Sequence, residues 1–213
     1  MLVERIMTSP CISILDSVTI EEALQIMHQH KIRHLPITNL ENQLVGIVSD
    51  KDINLSLPSI LSTEDPKALL QTPISKIMLT NIVTCHPLDF VEDIAIDFYE
   101  ENIGSIPVVK RNQLIGIVTQ KDMLNTFIEL TGNLSPGSTI QVQVPDVPGI
   151  MHSVTEVFHK QSVSIESILV YRDKSHEGYK LVTIRMKSMH PGNIIQALID
   201  KGYKVQQPMD NGL

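Results

Sequence analysis

Apolar positions along this chain follow two periods in a fixed order, and the whole order then occurs a second time. Ile20, Ala23, Leu24 and Met27 fall at i, i+3, i+4 and i+7, one face of a helix. Thr19 with Glu22 forms a capping box for that helix. Val91, Ile94, Ala95 and Phe98 repeat the face, with Asp89 as the expected N-cap. Ile12 and Ile14 predict a short strand ahead of the first helix. After each helix comes an apolar strand carrying a proline, Ile32–Ile37 and Ile103–Val108. Proline donates no ladder hydrogen bond, so it is expected at the strand's start or edge. A turn, at Asn39–Asn42 or Lys110–Asn112, leads into a Gly-Ile-Val strand and a second helix. Each unit reads strand, helix, strand, strand, helix.

The copies align residue by residue. Val3-Glu4-Arg5-Ile6-Met7 matches Ile74-Ser75-Lys76-Ile77-Met78 at an offset of 71, which holds to Pro36 and Pro107. One residue is then lost before Asn42-Gln43-Leu44-Val45-Gly46 meets Asn112-Gln113-Leu114-Ile115-Gly116. A match this long with a single gap is a duplicated structural unit. The first copy is expected at 1–60 and the second at 74–132. Polar, proline-marked residues 54–73 connect them, and Asn133–Ser138 forms a second linker.

Beyond that linker the pattern changes. Ile140, Val142 and Val144 alternate as a half-buried strand, which breaks at Pro145-Asp146-Val147-Pro148-Gly149. Ile150, Met151, Val154, Val157 and Phe158 mark an amphipathic helix. Strands are expected from Ile165 to Tyr171 and from Leu181 to Lys187, then a helix from about Asn193 ending at Gly202, then a strand from Tyr203. The order βαββαβ over 138–210 is the ferredoxin-like plan, and the fold class is α+β.

Composition narrows the partners. Among 213 residues the formal net charge is −7 with no Lys/Arg run, which argues against nucleic acid. Apolar runs are too short to span a membrane. Two cysteines, Cys11 and Cys85, and no signal peptide fit a reducing cytoplasm. His28-x-His30-x-x-x-His34 is not read as a metal site, because i and i+2 on a helix point apart. No Walker loop, Gly-x-Ser-x-Gly or His-Glu-x-x-His occurs, so no enzyme is expected.

The candidate chemistry lies where each Gly-Ile-Val strand breaks into a helix, at Ser49-Asp50-Lys51-Asp52 and Thr119-Gln120-Lys121-Asp122. Ser/Thr-x-x-Asp is close to a capping box that needs no ligand. The same carboxylate accepts two hydrogen bonds at once, which suits the vicinal hydroxyls of a ribose. A helix N-terminus beside a hydroxyl suits a phosphate oxygen.

The doubled pattern of Val/Ile-x-x-Ile-Met, hydrophobic-Pro-hydrophobic and Gly-hydrophobic-hydrophobic-Ser/Thr-x-x-Asp resembles the CBS motif. Two in tandem resemble a Bateman module, whose clefts take adenosine-containing ligands. The resemblance implies that Asp52 and Asp122 hold ribose and that Ser49 and Thr119 hold ribose or phosphate. It implies that the backbone at Pro36-Ile37 and Pro107-Val108, with Ser13 and Thr84 on the first strands, frames the base. Arg33-His34 departs from the Gly104-Ser105 of the second copy, either selecting phosphates in one cleft or blocking it. The C-terminal part resembles an ACT domain, implying a ligand loop at Asp146, Pro148, Gly149 and Ile150 for an amino acid or other small metabolite, and a homodimer. CBS, CBS, ACT in this order is similar to the AcuB-type proteins associated with acetoin utilisation. The expectation is therefore a tandem CBS pair followed by an ACT domain, acting as a non-catalytic sensor. It would bind AMP, ADP or ATP as a regulatory ligand and modulate an unnamed partner, possessing no metal site. The alternative is a structural interaction module that assembles a complex without ligand.

Overall fold

The computed structural model describes residues 1–57 and 67–206. The expected linker residues 58–66 and the end of the C-terminal domain, 207–213, lie outside the described residues. The chain divides into two compact units, Met1–Leu124 and Asn125–Leu213.

The first copy forms β1 (Ile14–Leu15), α1 (Ile20–His30), β2 (His34–Thr38), β3 (Leu44–Ser49) and α2 (Asp50–Ser56). Its sheet runs β1-β2-β3, parallel then antiparallel. A one-turn α3 (Lys67–Leu70) follows. Thr19 caps α1 as its spacing requires: its hydroxyl accepts from the Glu22 amide, and Glu22 Oε2 accepts from the Thr19 amide at 2.9 Å. Ile20, Ala23 and Met27 are buried with Leu35, Ile37 and Val48 in one cluster.

In the second copy α4 (Val91–Glu100), β4 (Ser105–Lys110) and β5 (Gln113–Thr119) repeat the plan, and α5 (Gln120–Thr131) follows. Two expectations fail locally. The N-cap of α4 is Phe90, without a side-chain cap, because the Asp89 carboxylate accepts instead from the His86 amide at 2.7 Å. The first strand shrinks to one bridge, Cys85 to Val108, where Cys85 donates to the Pro107 carbonyl at 3.1 Å and Val109 donates back to Cys85 at 2.9 Å. Pro107 thus turns its missing N–H toward an almost unpaired edge, where nothing is lost.

The copies exchange their leading segments. Val3 is buried with Cys85, Ile94, Phe98, Ile106, Val108 and Val118 of the second copy, and Ile74 with the core of the first. Thr8 and Ile117 exchange backbone hydrogen bonds of 2.9 and 3.1 Å; Leu79 and Ile47 do the same at 2.9 and 3.0 Å. Gly46 and Gly116 permit this crossing. A Cβ on Gly46 would stand 2.3 Å from Met78 Sδ, and one on Gly116 would stand 3.0 Å from Met7 Sδ and 2.9 Å from the Thr8 carbonyl oxygen.

The second unit holds β6 (Ser138–Pro145), α6 (Ile150–Lys160), β7 (Ile165–Arg172), β8 (Tyr179–Met186), α7 (Gly192–Asp200) and β9 (Lys204–Gln206). Its sheet order β7-β8-β6-β9 is the ferredoxin-like arrangement. Ile140, Val142, Val144, Val182 and Ile184 face Val154, Phe158, Ile194 and Leu198 of the two helices in one core. Helix α7 stops one turn-residue before Gly202, whose φ of +87° takes the left-handed position beyond Lys201.

Candidate functional site: two hydroxyl–carboxylate helix caps

At the end of β3 the backbone leaves the strand and enters α2, exposing the amides of the first helical turn. Ser49 is the N-cap. Its Oγ accepts from the Asp52 amide, and Asp52 Oδ2 takes the Ser49 amide at 2.8 Å and the Ser49 hydroxyl at 2.7 Å. The second copy repeats the geometry: Asp122 Oδ2 takes the Thr119 amide at 2.8 Å and its hydroxyl at 2.6 Å. The capping box read from the spacing is thus formed twice. The Ser49 amide and hydroxyl both go to Asp52 Oδ2, so Oδ1 retains its acceptor capacity among the described residues.

The strand register sets the neighbours. His34 is the antiparallel partner of Ser49, and Ser105 is that of Thr119. Arg33 and Asp50 join the first cap: the Asp50 amide donates to the Arg33 carbonyl at 3.0 Å, and Arg33 Nε donates to Asp50 Oδ2 at 3.1 Å. In the second copy the Gln120 amide donates to the Gly104 carbonyl and the Gln120 side chain to that of Ile103. Asp50 was absent from the sequence-predicted set. Its place, opposite a basic residue across a tight strand pair, becomes visible only with the register.

His34 joins the two caps. A Cβ on Gly104 would lie 2.4 Å from its Nε2, so the imidazole occupies the space that glycine leaves. Burial there lowers the His34 pKa, opposed by the charges of Asp50 and Asp52 and assisted by Arg33. Beside it the Ser105 hydroxyl is buried with no hydrogen-bond partner among the described residues. Sequence symmetry alone matches Ser105 to His34 and does not reveal that orphan donor.

The remaining nominated residues separate by role. Pro36, Ile37, Pro107 and Val108 are buried, so these positions offer a ligand backbone rather than side chains. Ser13 precedes β1, and Thr84 precedes the Cys85 bridge; neither sits within a strand. The Ile14–Ile37 and Cys85–Val108 pairings nevertheless place them beside the proline segments. From His34 to Ile37 is three residues of strand, roughly 10 Å, which separates the Ser13 end from the Asp52 end.

In the second unit Asp146, Pro148 and Gly149 are exposed and Ile150 is half-buried. Asp146 Oδ1 pairs with Lys180 Nζ at 2.6 Å. Gly149 is the N-cap of α6 with φ of +82°, and no side chain caps that end. A Cβ there would meet nothing within 4 Å, so the glycine is required for its backbone conformation and not for close packing.

Comparison with known proteins agrees with this geometry. The CBS domain matches residues 3–58 and 74–129, and the ACT domain matches 138–202. A homoserine O-acetyltransferase of Methanococcus vannielii is 36% identical over 127 residues, 59% of this chain and 25% of that one. An L-aspartate semialdehyde sulfurtransferase of Methanocaldococcus jannaschii is 34% identical over 127 residues, 59% of this chain and 23% of that one. The chain therefore spans about a quarter of the length of these two relatives. The Bacillus subtilis CBS domain-containing protein YhcV is 30% identical over 138 residues, 65% of this chain and 91% of that one. Among solved structures, a CBS domain pair in complex with 5′-methylthioadenosine and S-adenosyl-L-methionine is 33% identical, with a TM-score of 0.52 over 60% of this chain and 99% of that one. A Vibrio cholerae protein named for acetoin utilization (AcuB) is 29% identical, with a TM-score of 0.55 over 64% of this chain and 98% of that one. No described helix is long and apolar enough to cross a membrane. Both repeats and half of the chain match, and this protein belongs to the CBS-domain family as a tandem CBS pair followed by an ACT domain.

Proposed function

We propose that the CBS pair is a non-catalytic sensor of an adenosine-containing ligand, with an adenine nucleotide (AMP, ADP or ATP) as the leading class. CBS and ACT domains are typically regulatory, which supports that reading. The observation that carries it is the doubled cap: two carboxylates, each fixed by a hydroxyl and an amide, stand at helix N-termini beside buried strand backbone. Asp52 and Asp122 would accept ribose hydroxyls, Ser49 and Thr119 ribose or phosphate oxygens, and Arg33 with His34 would favour phosphate at one cleft. The bound 5′-methylthioadenosine and S-adenosyl-L-methionine of the 33% identical CBS pair support an adenosine ligand without choosing among them.

For the ACT domain we propose an amino acid or other small metabolite at Asp146, Pro148, Gly149 and Ile150. The uncapped start of α6 suits a carboxylate. Dimerisation through this domain, a cytoplasmic location and modulation of a partner in acetoin or other carbon metabolism belong to the same proposal; the AcuB likeness supports the last.

Thermal unfolding of the full chain with AMP, ADP, ATP, NAD, S-adenosylmethionine and 5′-methylthioadenosine is the test. A ligand at 100 times its Kd stabilises the unit that binds it by about 2.7 kcal/mol. Because both caps are complete without ligand, a flat response to all six would favour an assembly module instead.

A further inference from the structure

The sheet of the second unit has one face in the core and one carrying a polar inlay. Ile140, Val142 and Val144 are fully buried, so the alternate residues Gln141 and Gln143 stand on the opposite face. The register lays two rows across it. Tyr171, Leu181, Gln143 and Lys204 stand side by side on β7, β8, β6 and β9, with Leu169, Thr183, Gln141 and Gln206 in the next row. A depression of about 250 Å³ lies here, completed by Asp173 and His176 of the β7–β8 loop. Helix α6 packs against the core side, so this depression is separate from the Asp146–Ile150 turn at that helix's start.

Asp173 is built into the wall. Its side chain is 6% exposed, and it accepts Gln143 Nε2 at 2.5 Å, the Ser175 amide at 2.8 Å and His176 Nδ1 at 3.0 Å. Those donors, Gln143 foremost, hold its carboxyl below the usual range. An ionised carboxylate beside Nδ1 favours the tautomer that donates to it. Nε2 of His176 is then a lone-pair acceptor without a partner among the described residues, and Lys204 Nζ is a cation without one. The carboxylate already accepts three donors, two of them on Oδ2, so it offers less to a cationic ligand. The cation and the imidazole are what the depression leaves unmatched. At about 30 Å³ per water molecule the space equals roughly eight waters, enough for a small metabolite.

We propose that this depression is a binding site for a small hydroxy acid, whose acid group is taken by Lys204 and whose hydroxyl donates to Nε2 of His176, while Leu181 underlies its carbon skeleton. Gln143 and Gln206 supply amide contacts to its other polar atoms. The site is independent of any ligand in the CBS pair.

Lactate, malate and inorganic phosphate, each titrated into isotope-labelled full-length chain at ionic strength held with chloride, test it by two-dimensional NMR. At least one should shift the His176 ring and the Gln143 and Gln206 side-chain amides saturably. Lys204→Gln should weaken that binding about tenfold or more and His176→Ala about three- to tenfold, with the backbone amide spectrum of the sheet otherwise retained. No saturable shift with any of the three, or an affinity unchanged in both variants, would overturn the proposal.

Discussion

Asp52 and Asp122 each serve a helix terminus, and the two roles assigned to them separate by measurement. Truncation at Asp52→Ala or Asp122→Ala removes a cap worth about 1 kcal/mol, which urea denaturation reads directly. On the sensor reading it also removes charge-assisted bonds of roughly 1.5–3 kcal/mol, so calorimetry should find nucleotide affinity about 10- to 100-fold weaker. Lower stability with unchanged affinity would leave only the cap. His34 makes a different prediction. Burial holds its folded-state pKa below the unfolded value of about 6.5, so the folded chain resists protonation at that ring. The sign follows: this contribution to stability is whole above about pH 6.5 and is lost as pH falls through that value toward the folded pKa. Melting temperature should decline from pH 7 to pH 5, and more shallowly in His34→Gln. Parallel slopes would assign the decline to other groups. Glu156 acts lower in the pH scale, since hydrogen bonds from Lys160 and Lys201 pull it down to about 2, and its contribution is lost only below the ordinary glutamate range.

Between elements, the exchanged segments make stability cross the repeat boundary. Ile74 opens the second copy in sequence but is buried with Ile14, Ile20 and Ile53 of the first. Ile74→Ala should cost about 2–5 kcal/mol, and hydrogen exchange should show the loss in α1 and β2 before α4 and β4. Uniform loss, or loss confined to the second copy, would contradict the exchange. The glycines at the crossing give a second measurement. Gly46→Ala sets a Cβ against Met78 and should destabilise by about 1–3 kcal/mol, the usual cost of overpacking. The penalty should shrink in a Met78→Ala background, because contacting residues are not additive. Equal penalties in both backgrounds would show that Gly46 matters for backbone freedom alone.

Across the molecule, the helices and the ACT plan were legible because their signals are local. The i, i+3, i+4, i+7 stripe of α1 and the alternation of Ile140, Val142 and Val144 state which face is buried without reference to any neighbour. Asp89 was misread because an aspartate before a helix has two amides in reach, and the turn at His86 captured it. The missing strand at Thr84 was illegible for a related reason: a strand exists only where its partner pairs, and there the partner offers a single bridge.

The duplication, the βαββαβ order and the two hydroxyl–carboxylate caps were all readable from residue spacing, since each depends on contacts within a few positions. What folding alone decided involves residues far apart in the chain. Val3 crossing to the Cys85 core, His34 filling the space above Gly104, and Lys204 standing opposite Gln143 all follow from strand register and docking of distant segments. No local propensity encodes those choices: Val3 docks on a core built from residues far along the chain, and a one-residue change of register would turn His34 or Lys204 to the other face of its sheet.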